Sequence, residues 1–233
     1  KNEDTLEAIR LSSNSTAVGP DGLTSLHFKH LGHYGISYST KLFNLSISKA
    51  DLPSIWKVAH IIPILKPGKP PNLSTSYRPI SLLSPAVKIL ERLLLPYVNP
   101  PSVPLASSQH GFRPFRSCTT ALLPIVTTAV NGFNQKKPPT RTAVMAVDIS
   151  KAFDGVSHKL LLKQISESDI HPNVVRWLSA YLHDRKASCL FRSCQSPYVR
   201  VHSGVPQGSV LSPSLFNIFV SDFPSQALIN TSF

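Results

Sequence analysis

The apolar run AVMAV at residues 143–147 ends in the carboxylate of Asp148. A short, valine-containing run of this kind predicts a buried strand. Because an unpaired charge costs several kcal/mol or more to bury, the carboxylate needs a place where a cation or solvent can reach it. We therefore expect Asp148 at the end of the strand, on the rim of a sheet, before a helix that begins by Ser150 or Lys151.

Two roles stay open for Asp148 on this pattern alone. A hard dication such as Mg²⁺ prefers oxygen ligands and keeps positions for water or substrate phosphates. Alternatively, the carboxylate caps the following helix by accepting a backbone N–H. Asp154, further along the same segment, is interpreted as a solvated or packing residue rather than a ligand.

Hydrophobic periodicity predicts helices and strands along the rest of the chain. Helices are expected at residues 4–11, 85–97, 119–133, 173–182 and 213–223, with two more between 23 and 50. Strands are expected at residues 56–65, 77–83, 143–149, 187–192 and 198–202. In the helix at 85–97, the polar residues beside the apolar ones are Lys88, Glu91 and Arg92. Since neither repeats nor a break in composition divides the sequence, we expect one α+β or α/β body.

The charge of the chain restricts its partners. The 24 lysines and arginines exceed the 12 aspartates and glutamates, so the formal charge is +12 and the pI is near 9.9. Together with 42% hydrophobic residues, this predicts a folded protein with a polyanionic partner, most often nucleic acid. No apolar run reaches the roughly 18 residues that a membrane span needs, so no membrane is expected. Three sparse cysteines fit a reducing, intracellular compartment.

Two basic segments are candidates for contact with phosphates. If the strands at 56–65 and 77–83 form a hairpin, Lys66, Lys69 and Arg78 lie near one another and can clamp a triphosphate or a nucleic-acid backbone. The loop QHGFRPFR interleaves Arg113 and Arg116 with aromatic residues, a composition suited to phosphate contacts and base stacking. The alternatives are a solvated basic turn and a loop whose phenylalanines are buried.

The segment SGVPQGSVLSP, residues 203–213, has glycines on either side of a polar residue just before a predicted helix. Gly204 and Gly208 would allow the backbone near Gln207 to approach a ligand closely. The segment is not a Walker loop, because the lysine and the following Ser or Thr are missing. An ordinary turn before a capped helix remains the alternative. No H-E-x-x-H sequence occurs, and the irregular spacing of the histidines and cysteines makes a zinc site improbable.

Taken in order, six blocks resemble the reverse transcriptase domain of non-LTR (LINE-type) retrotransposons. The blocks are AVGPDGL, IIPILKPGKP, SYRPISLLS, QHGFRPFRS, AVDISKAFDGVSH and SGVPQGSVLSPSLFNIFVSD, and the resemblance covers about residues 17–223. The resemblance implies an α+β fold with the fingers and palm subdomains of a right-hand polymerase. Residues 1–233 would form a partial reverse transcriptase domain, with about 17–140 mainly fingers, about 141–165 and 198–233 palm, and 166–197 a palm helix and hairpin.

The resemblance also implies roles for individual residues. Asp148 would be the catalytic carboxylate that holds the Mg²⁺ ions of a two-metal polymerase. The backbone of Ile149 would lie against the triphosphate, and Phe153 would stack under the sugar and exclude a 2′-hydroxyl. Pro206, Gln207 and Gly208 match the motif beside the nascent base pair and the template. Arg78 and Lys66 match fingers residues that neutralise the triphosphate. The implied partners are an RNA template, a DNA primer and deoxynucleoside triphosphates, in the nucleus and cytoplasm.

The family's remaining catalytic carboxylates lie in a Y/F-x-D-D hairpin, and this sequence contains no such segment. We therefore expect a chain truncated before the palm catalytic hairpin and the thumb, and inactive alone. The alternative function is that of a noncatalytic nucleic-acid-binding remnant of a degenerate or domesticated element. An insoluble product is a third possibility, because the strand expected at 143–149 would keep an unpaired edge.

Overall fold

A computed structural model describes residues 1–99, 105–135 and 141–222. Helices and strands are mixed along these ranges. The helices are α1 (Asn2–Arg10), α2 (Ser25–Lys29), α3 (His33–Lys49), α4 (Pro85–Val98), α5 (Cys118–Phe133), α6 (His158–Glu167), α7 (Pro172–Leu182) and α8 (Ser212–Phe219). The strands are β1 (Val58–Leu65), β2 (Tyr77–Leu82), β3 (Arg185–Phe191), β4 (Cys194–Gln195) and β5 (Val199–Val201).

The predicted hairpin of β1 and β2 is confirmed. The two strands are antiparallel, with Leu65 opposite Tyr77 and Ile64 opposite Arg78. The strand begins at Val58 rather than at Trp56, because residues Ser54–Lys57 form a 3-10 turn. Trp56 is buried and packs against Phe43 of α3, so this turn fastens the start of the sheet to the helices.

The sheet continues from β1 to a strand that lies far away in sequence. β3 runs parallel to β1, with Ala59 opposite Ala187. On its other edge β3 pairs with β5, and at its end with β4, in both cases antiparallel. The predicted pairing of the segments at 187–192 and 198–202 is thus confirmed, whereas the parallel pair of β1 and β3 is not apparent from sequence.

The main core lies among the helices. Its fully buried residues include Trp177, Leu178 and Tyr181 of α7, Leu161 and Ile165 of α6, Val87, Ile89 and Leu90 of α4, and Leu215 of α8. The helix α4 has buried residues on most of its circumference, which explains its central place between α1, α7 and α8. A smaller apolar cluster of Ala59, Leu83 and Ala187 lies at the sheet.

The strand predicted at residues 143–149 is wrong. Residues 141–149 form neither a strand nor a helix and are exposed throughout. An extended segment becomes a strand only when a neighbour accepts and donates its backbone hydrogen bonds, and no described strand pairs with this one. Asp148 therefore does not lie on the rim of the sheet.

The helix predicted to begin by Ser150 or Lys151 is also wrong. Residues 150–155 form turns, with Lys151 in the left-handed region at φ 52°. The next helix is α6, which begins at His158 and is capped by the Ser157 hydroxyl, which accepts from the backbone N–H of Leu160. The alternative that Asp148 caps this helix is wrong for the same reason.

The helix α5 runs through Pro124 without a later start. Its apolar side chains are largely exposed, among them Leu122, Leu123, Val126 and Phe133. The last predicted helix is confirmed as α8, although it ends at Phe219, and Phe223 lies outside the described residues. Among the helices that the structure describes, none has the length and apolar character needed to cross a membrane.

The core position of α6 gives a stability test with an internal control. Leu161 is fully buried in the main core, whereas its neighbour Leu160 is 54% exposed. We expect Leu161→Ala to lower the free energy of unfolding by about 2–5 kcal/mol, because it removes buried methyl groups and leaves a cavity. Leu160→Ala should change it by less than about 0.5 kcal/mol. Urea unfolding followed by circular dichroism measures both, and equal effects would show that α6 is not packed as described.

Candidate active site

The segment at residues 203–205 is fastened to the Phe153 segment by backbone hydrogen bonds. The N–H of Gly204 donates to the carbonyl of Val156 at 2.7 Å, and the N–H of Val205 donates to the carbonyl of Phe153 at 2.9 Å. Gly204 has φ +89°, and a Cβ there would lie 2.9 Å from the Cα of Asp154. The close approach therefore requires glycine, which explains the first glycine of the predicted motif.

The next turn is fastened to the free edge of β2. The N–H of Ser81 donates to the carbonyl of Gln207 at 2.7 Å. Gly208 has φ +134°, and a Cβ there would lie 2.6 Å from the carbonyl oxygen of Ser81. β2 also carries Arg78, which is predicted to contact the triphosphate. The bond of Ser81 therefore joins the Gln207 turn to the strand of Arg78.

Phe153 lies in a small aromatic cluster. Its ring stacks on Phe216 of α8, with centroids 5.1 Å apart and planes at 17°, and meets the edge of Phe112 at 5.9 Å. Both arrangements are favourable for aromatic pairs. The ring is half-buried, so the cluster holds it in place while part of it remains accessible.

The basic loop at residues 105–117 uses part of its charge to hold itself together. One nitrogen of the Arg113 guanidinium donates to the carbonyl of Ala106 at 2.9 Å and to that of Gln109 at 3.3 Å. The buried amide of Asn217 in α8 accepts from the Gln109 side chain at 3.0 Å. Arg116 is exposed. Of the two predicted nucleic-acid contacts, Arg116 is thus available to a ligand, whereas Arg113 is engaged in closing the loop.

In the basic turn between β1 and β2, too, one basic side chain is engaged in the fold and the others are exposed. The Nζ of Lys66 donates to the carbonyl of Thr75 at 2.9 Å, across the turn. Lys69 and Arg78 are exposed and make no ion pair among the described residues. Since Arg78 lies opposite Ile64 at the end of β1, the three cations are close to the same end of the hairpin, as the sequence predicts.

Asp148 and Ile149 lie on the exposed segment at 141–149. No hydrogen bond or ion pair of Asp148 is present within the described ranges. No cluster of three or more His, Cys, Asp or Glu residues there could hold a metal ion. Because Mg²⁺ competes poorly with water for a single carboxylate, the described residues do not by themselves fit a magnesium site.

A pocket of about 400 Å³ opens beside the Gln207 turn. Its lining includes the predicted residues Pro206 and Gln207, the strand residue Ser81, and the residues Arg185, Arg200 and His202. Arg185 is 2% exposed, and its guanidinium lies 4.7 Å from the ring of Tyr181. Arg185, Arg200 and His202 are not among the residues that the sequence predicts for the site. The sequence signal that could have found the two arginines is the presence of basic residues on both β3 and β5, which pair with each other.

Glu91 is a second feature that sequence reasoning missed. It was interpreted as a polar residue of an amphipathic helix, but it is fully buried. Its carboxylate accepts hydrogen bonds from the Tyr181 hydroxyl at 2.7 Å, the Ser209 hydroxyl at 2.9 Å and the Val210 N–H at 2.5 Å. Burial, reinforced by the nearby Glu91 charge, raises the pKa of Tyr181 above its ordinary value. The tyrosine hydroxyl therefore keeps its proton and stays a donor.

A family model described as reverse transcriptase (RNA-dependent DNA polymerase) matches residues 64–230. The chain belongs to this family. The matched residues include β2, the Phe153 segment and the Gln207 turn, which are parts that the structure joins by backbone hydrogen bonds. The resemblance to non-LTR retrotransposon enzymes is confirmed by the relatives described next.

Three similar proteins have names that specify a polymerase. The chain is 32% identical over 225 residues to a probable RNA-directed DNA polymerase from transposon BS of Drosophila melanogaster, covering 95% of this chain and 24% of the relative. It is 32% identical over 227 residues to the RNA-directed DNA polymerase from mobile element jockey of Drosophila funebris, covering 96% and 24%. It is 34% identical over 223 residues to a probable RNA-directed DNA polymerase from transposon X-element of Drosophila melanogaster, covering 94% and 24%. The chain thus spans about a quarter of the length of these relatives.

The close approach of Gly208 to β2 can be tested by adding one methyl group. We expect Gly208→Ala to lower the free energy of unfolding by about 1–3 kcal/mol, because alanine is strained at this φ and its Cβ clashes with Ser81. The amide of Ser81 should exchange faster with solvent, since its hydrogen bond to Gln207 is lost. Gly32→Ala is the matched control, with φ −71° and no atom within 4 Å of the added Cβ. Slow exchange of Ser81 in the Gly208 variant would contradict the docked turn.

Proposed function

We propose that this chain is the part of a non-LTR retrotransposon RNA-directed DNA polymerase that holds the template, the primer and the incoming nucleotide. One observation carries the proposal. The Gln207 turn is hydrogen-bonded to β2, which bears Arg78, while residues just before it are hydrogen-bonded to the Phe153 segment. The positions that the family resemblance assigns to nucleotide and template are therefore joined into one connected region.

The subdomain assignment is part of the proposal. We assign about residues 17–140 mainly to fingers, about 141–165 and 198–233 to palm, and 166–197 to a palm helix and hairpin. The mixed sheet crosses this division, because β1, which we assign to the fingers, pairs with the hairpin strand β3. The fingers and the hairpin would then share one sheet, which would fix the triphosphate-binding side relative to the palm.

The nucleotide end of the site would use both charge and shape. Arg78 and Lys66 would neutralise the triphosphate, and the backbone of Ile149 would lie against it. Phe153 would form the wall under the sugar that excludes a 2′-hydroxyl. Its stacking on Phe216 supports this role, because a ring held by a neighbour yields less to a substituent that does not fit.

The template and primer would lie along the basic surface beside this end. Pro206, Gln207 and Gly208 would contact the template near the new base pair. Lys69, Arg113 and Arg116 would contact phosphates, with Arg113 limited by its bonds to its own loop. Arg200 of β5, which lies 3.7 Å from the Asp184 carboxylate, would extend this surface, whereas Arg185 of β3 lines the pocket from a buried position. No membrane is involved in this proposal.

The set of ligands for the catalytic metal is the least complete part of the proposed site. Asp148 would provide one oxygen ligand for Mg²⁺, and the carboxylates that must join it are not gathered in the described part of the chain. We therefore propose that the 233-residue chain binds its ligands but does not polymerise alone. We propose the nucleus and cytoplasm of a host cell as its location, as the resemblance to non-LTR retrotransposon enzymes implies.

A noncatalytic nucleic-acid-binding role is the second candidate. The observation that favours it is the charge of +12, combined with the lack of a cluster of metal-binding side chains in the part of the chain that the structure describes. Both candidates bind nucleic acid through phosphate contacts, so binding alone does not separate them. They differ in whether deoxynucleoside triphosphates are recognised, because a simple nucleic-acid-binding remnant has no reason to keep the triphosphate contacts.

The first functional test is a primer-extension assay with the purified chain on an RNA template annealed to a DNA primer. We expect no Mg²⁺-dependent extension, since a single carboxylate holds the cation weakly. The same preparation should bind the template–primer at low salt, and Asp148→Ala should leave that affinity unchanged. Robust incorporation would contradict the proposed inactivity, and failure to bind at low salt would contradict the proposed function.

The second functional test concerns the exposed basic turn. We expect Lys69→Ala to weaken binding of the template–primer and to reduce the slope of log affinity against log salt by about 1, because one phosphate contact is lost. Lys49→Ala, at an exposed lysine at the end of α3, is the matched control and should leave the slope unchanged. Fluorescence anisotropy at several salt concentrations measures both. Identical slopes for the two variants would place the nucleic acid elsewhere.

A further inference from the structure

Glu91 is the one buried acidic side chain among the residues that the structure describes. It lies on α4, whose neighbouring buried residues are aliphatic. A carboxylate in such a place is unfavourable unless hydrogen bonds compensate for its lost hydration. All three groups that contact it are donors, and together they use both of its oxygens. The surroundings thus fit a group that only accepts hydrogen bonds.

The donors come from two segments that lie on either side of the carboxylate. The Oε1 atom accepts from Tyr181 of α7, whereas Oε2 accepts from Ser209 and Val210, directly after the Gln207 turn. The Ser209 hydroxyl in turn accepts from the N–H groups of Leu211 and Ser212 at the start of α8. One side chain of α4 therefore connects α7, the turn and the beginning of α8.

We propose that Glu91 is a positioning residue that holds the Gln207 turn in place for contact with the template strand, an inference that rests on the proposed function. The turn has two anchors. Ser81 binds the carbonyl of Gln207, and Glu91 binds Ser209 and Val210, two and three residues further on. Between the anchors the backbone has little freedom to shift. The Cα of Gln207, from which its side chain extends, is therefore held in place.

The two anchors lie close together in the chain. Ser81 belongs to β2, and α4 begins at Pro85 only a few residues later. The strand and the helix are thus one continuous stretch of backbone that binds the turn from two sides. Loss of the Glu91 anchor would leave the turn attached only on its N-terminal side, through Ser81 and the bonds of Gly204 and Val205, and Gln207 would sample several positions instead of one.

The decisive comparison is between Glu91→Gln and Glu91→Met. Glutamine keeps one carbonyl oxygen that can accept from both Ser209 and Val210, and its NH₂ group can donate to the Tyr181 oxygen. Methionine has a similar length but offers no comparable acceptor, so all three donors lose their partner. The pair therefore separates the acceptor function of the side chain from its volume.

Binding to an RNA template annealed to a DNA primer is measured by fluorescence anisotropy at several salt concentrations. We expect Glu91→Met to weaken binding about tenfold, as for the loss of a buried hydrogen-bond partner. The salt slope should stay unchanged, because no phosphate contact is removed. Glu91→Gln should remain within about threefold of the wild type, since the bonds to the turn are kept. Amide exchange of Ser81 and Val210 should accelerate in the methionine variant only.

Tyr181→Phe and Gln207→Ala are the controls. The phenylalanine variant removes the bond to α7 but leaves the turn attached, so its affinity should equal that of the wild type even if its stability falls. Gln207→Ala should weaken binding as Glu91→Met does, and with the same salt slope. If Glu91→Met does not fold, Ser209→Ala replaces it, because that change removes one of the two bonds between the carboxylate and the turn.

Three results would overturn the inference. Glu91→Met, or Ser209→Ala in its place, could bind like the wild type with slow exchange at Ser81 and Val210. Tyr181→Phe could weaken binding as much as Glu91→Met, which would assign Glu91 to general packing. Glu91→Gln could weaken binding as much as Glu91→Met. If the wild-type chain does not bind template–primer, the proposed function fails, while the exchange of Ser81 and Val210 still decides whether Glu91 holds the turn.

Discussion

The backbone hydrogen bond from Ser81 to Gln207 is the contact on which the rest of the site depends. It closes the free edge of β2 with a turn that is distant in sequence. The turn also connects residues 203–205, which are hydrogen-bonded to the Phe153 segment, to the start of α8. One contact therefore sets the relation between the sheet, an aromatic cluster and a helix. The glycine at 208 is the chemical condition for it, because any Cβ would meet the Ser81 carbonyl.

The parts of this architecture that sequence could predict are those that local chemistry determines. The β1–β2 hairpin follows from β-branched residues that are separated by a proline and glycine turn, and the structure confirms it. The helices α4, α7 and α8 follow from their apolar spacing. The parallel pairing of β1 with β3 is different, because it joins segments more than a hundred residues apart and depends on how the helices pack between them.

Two errors have a common cause, which is that the partner of a residue cannot be read from its neighbours in sequence. The run at 143–147 has the composition of a strand, yet a strand needs the backbone of another segment, and none of the described strands supplies it. Glu91 has the spacing of a polar helix residue, yet Tyr181 and Ser209 provide the donors that allow it to be buried. In both cases a long-range contact, present or absent, overrides the local pattern.

The candidate site combines two kinds of interaction that respond differently to the solvent. In the proposed complex the exposed cations at Lys69, Arg78 and Arg116 would act through charge, so their contribution to binding would weaken as salt screens it. The bonds of Glu91 to the turn are buried and hardly screened, and they contribute through geometry instead. In the proposed complex this surface would hold a nucleic-acid backbone by charge, whereas discrimination at the growing end would depend on whether Gln207 and Phe153 keep fixed positions. Weakening the buried contacts would therefore lower both affinity and discrimination, whereas raising the salt concentration would lower affinity first.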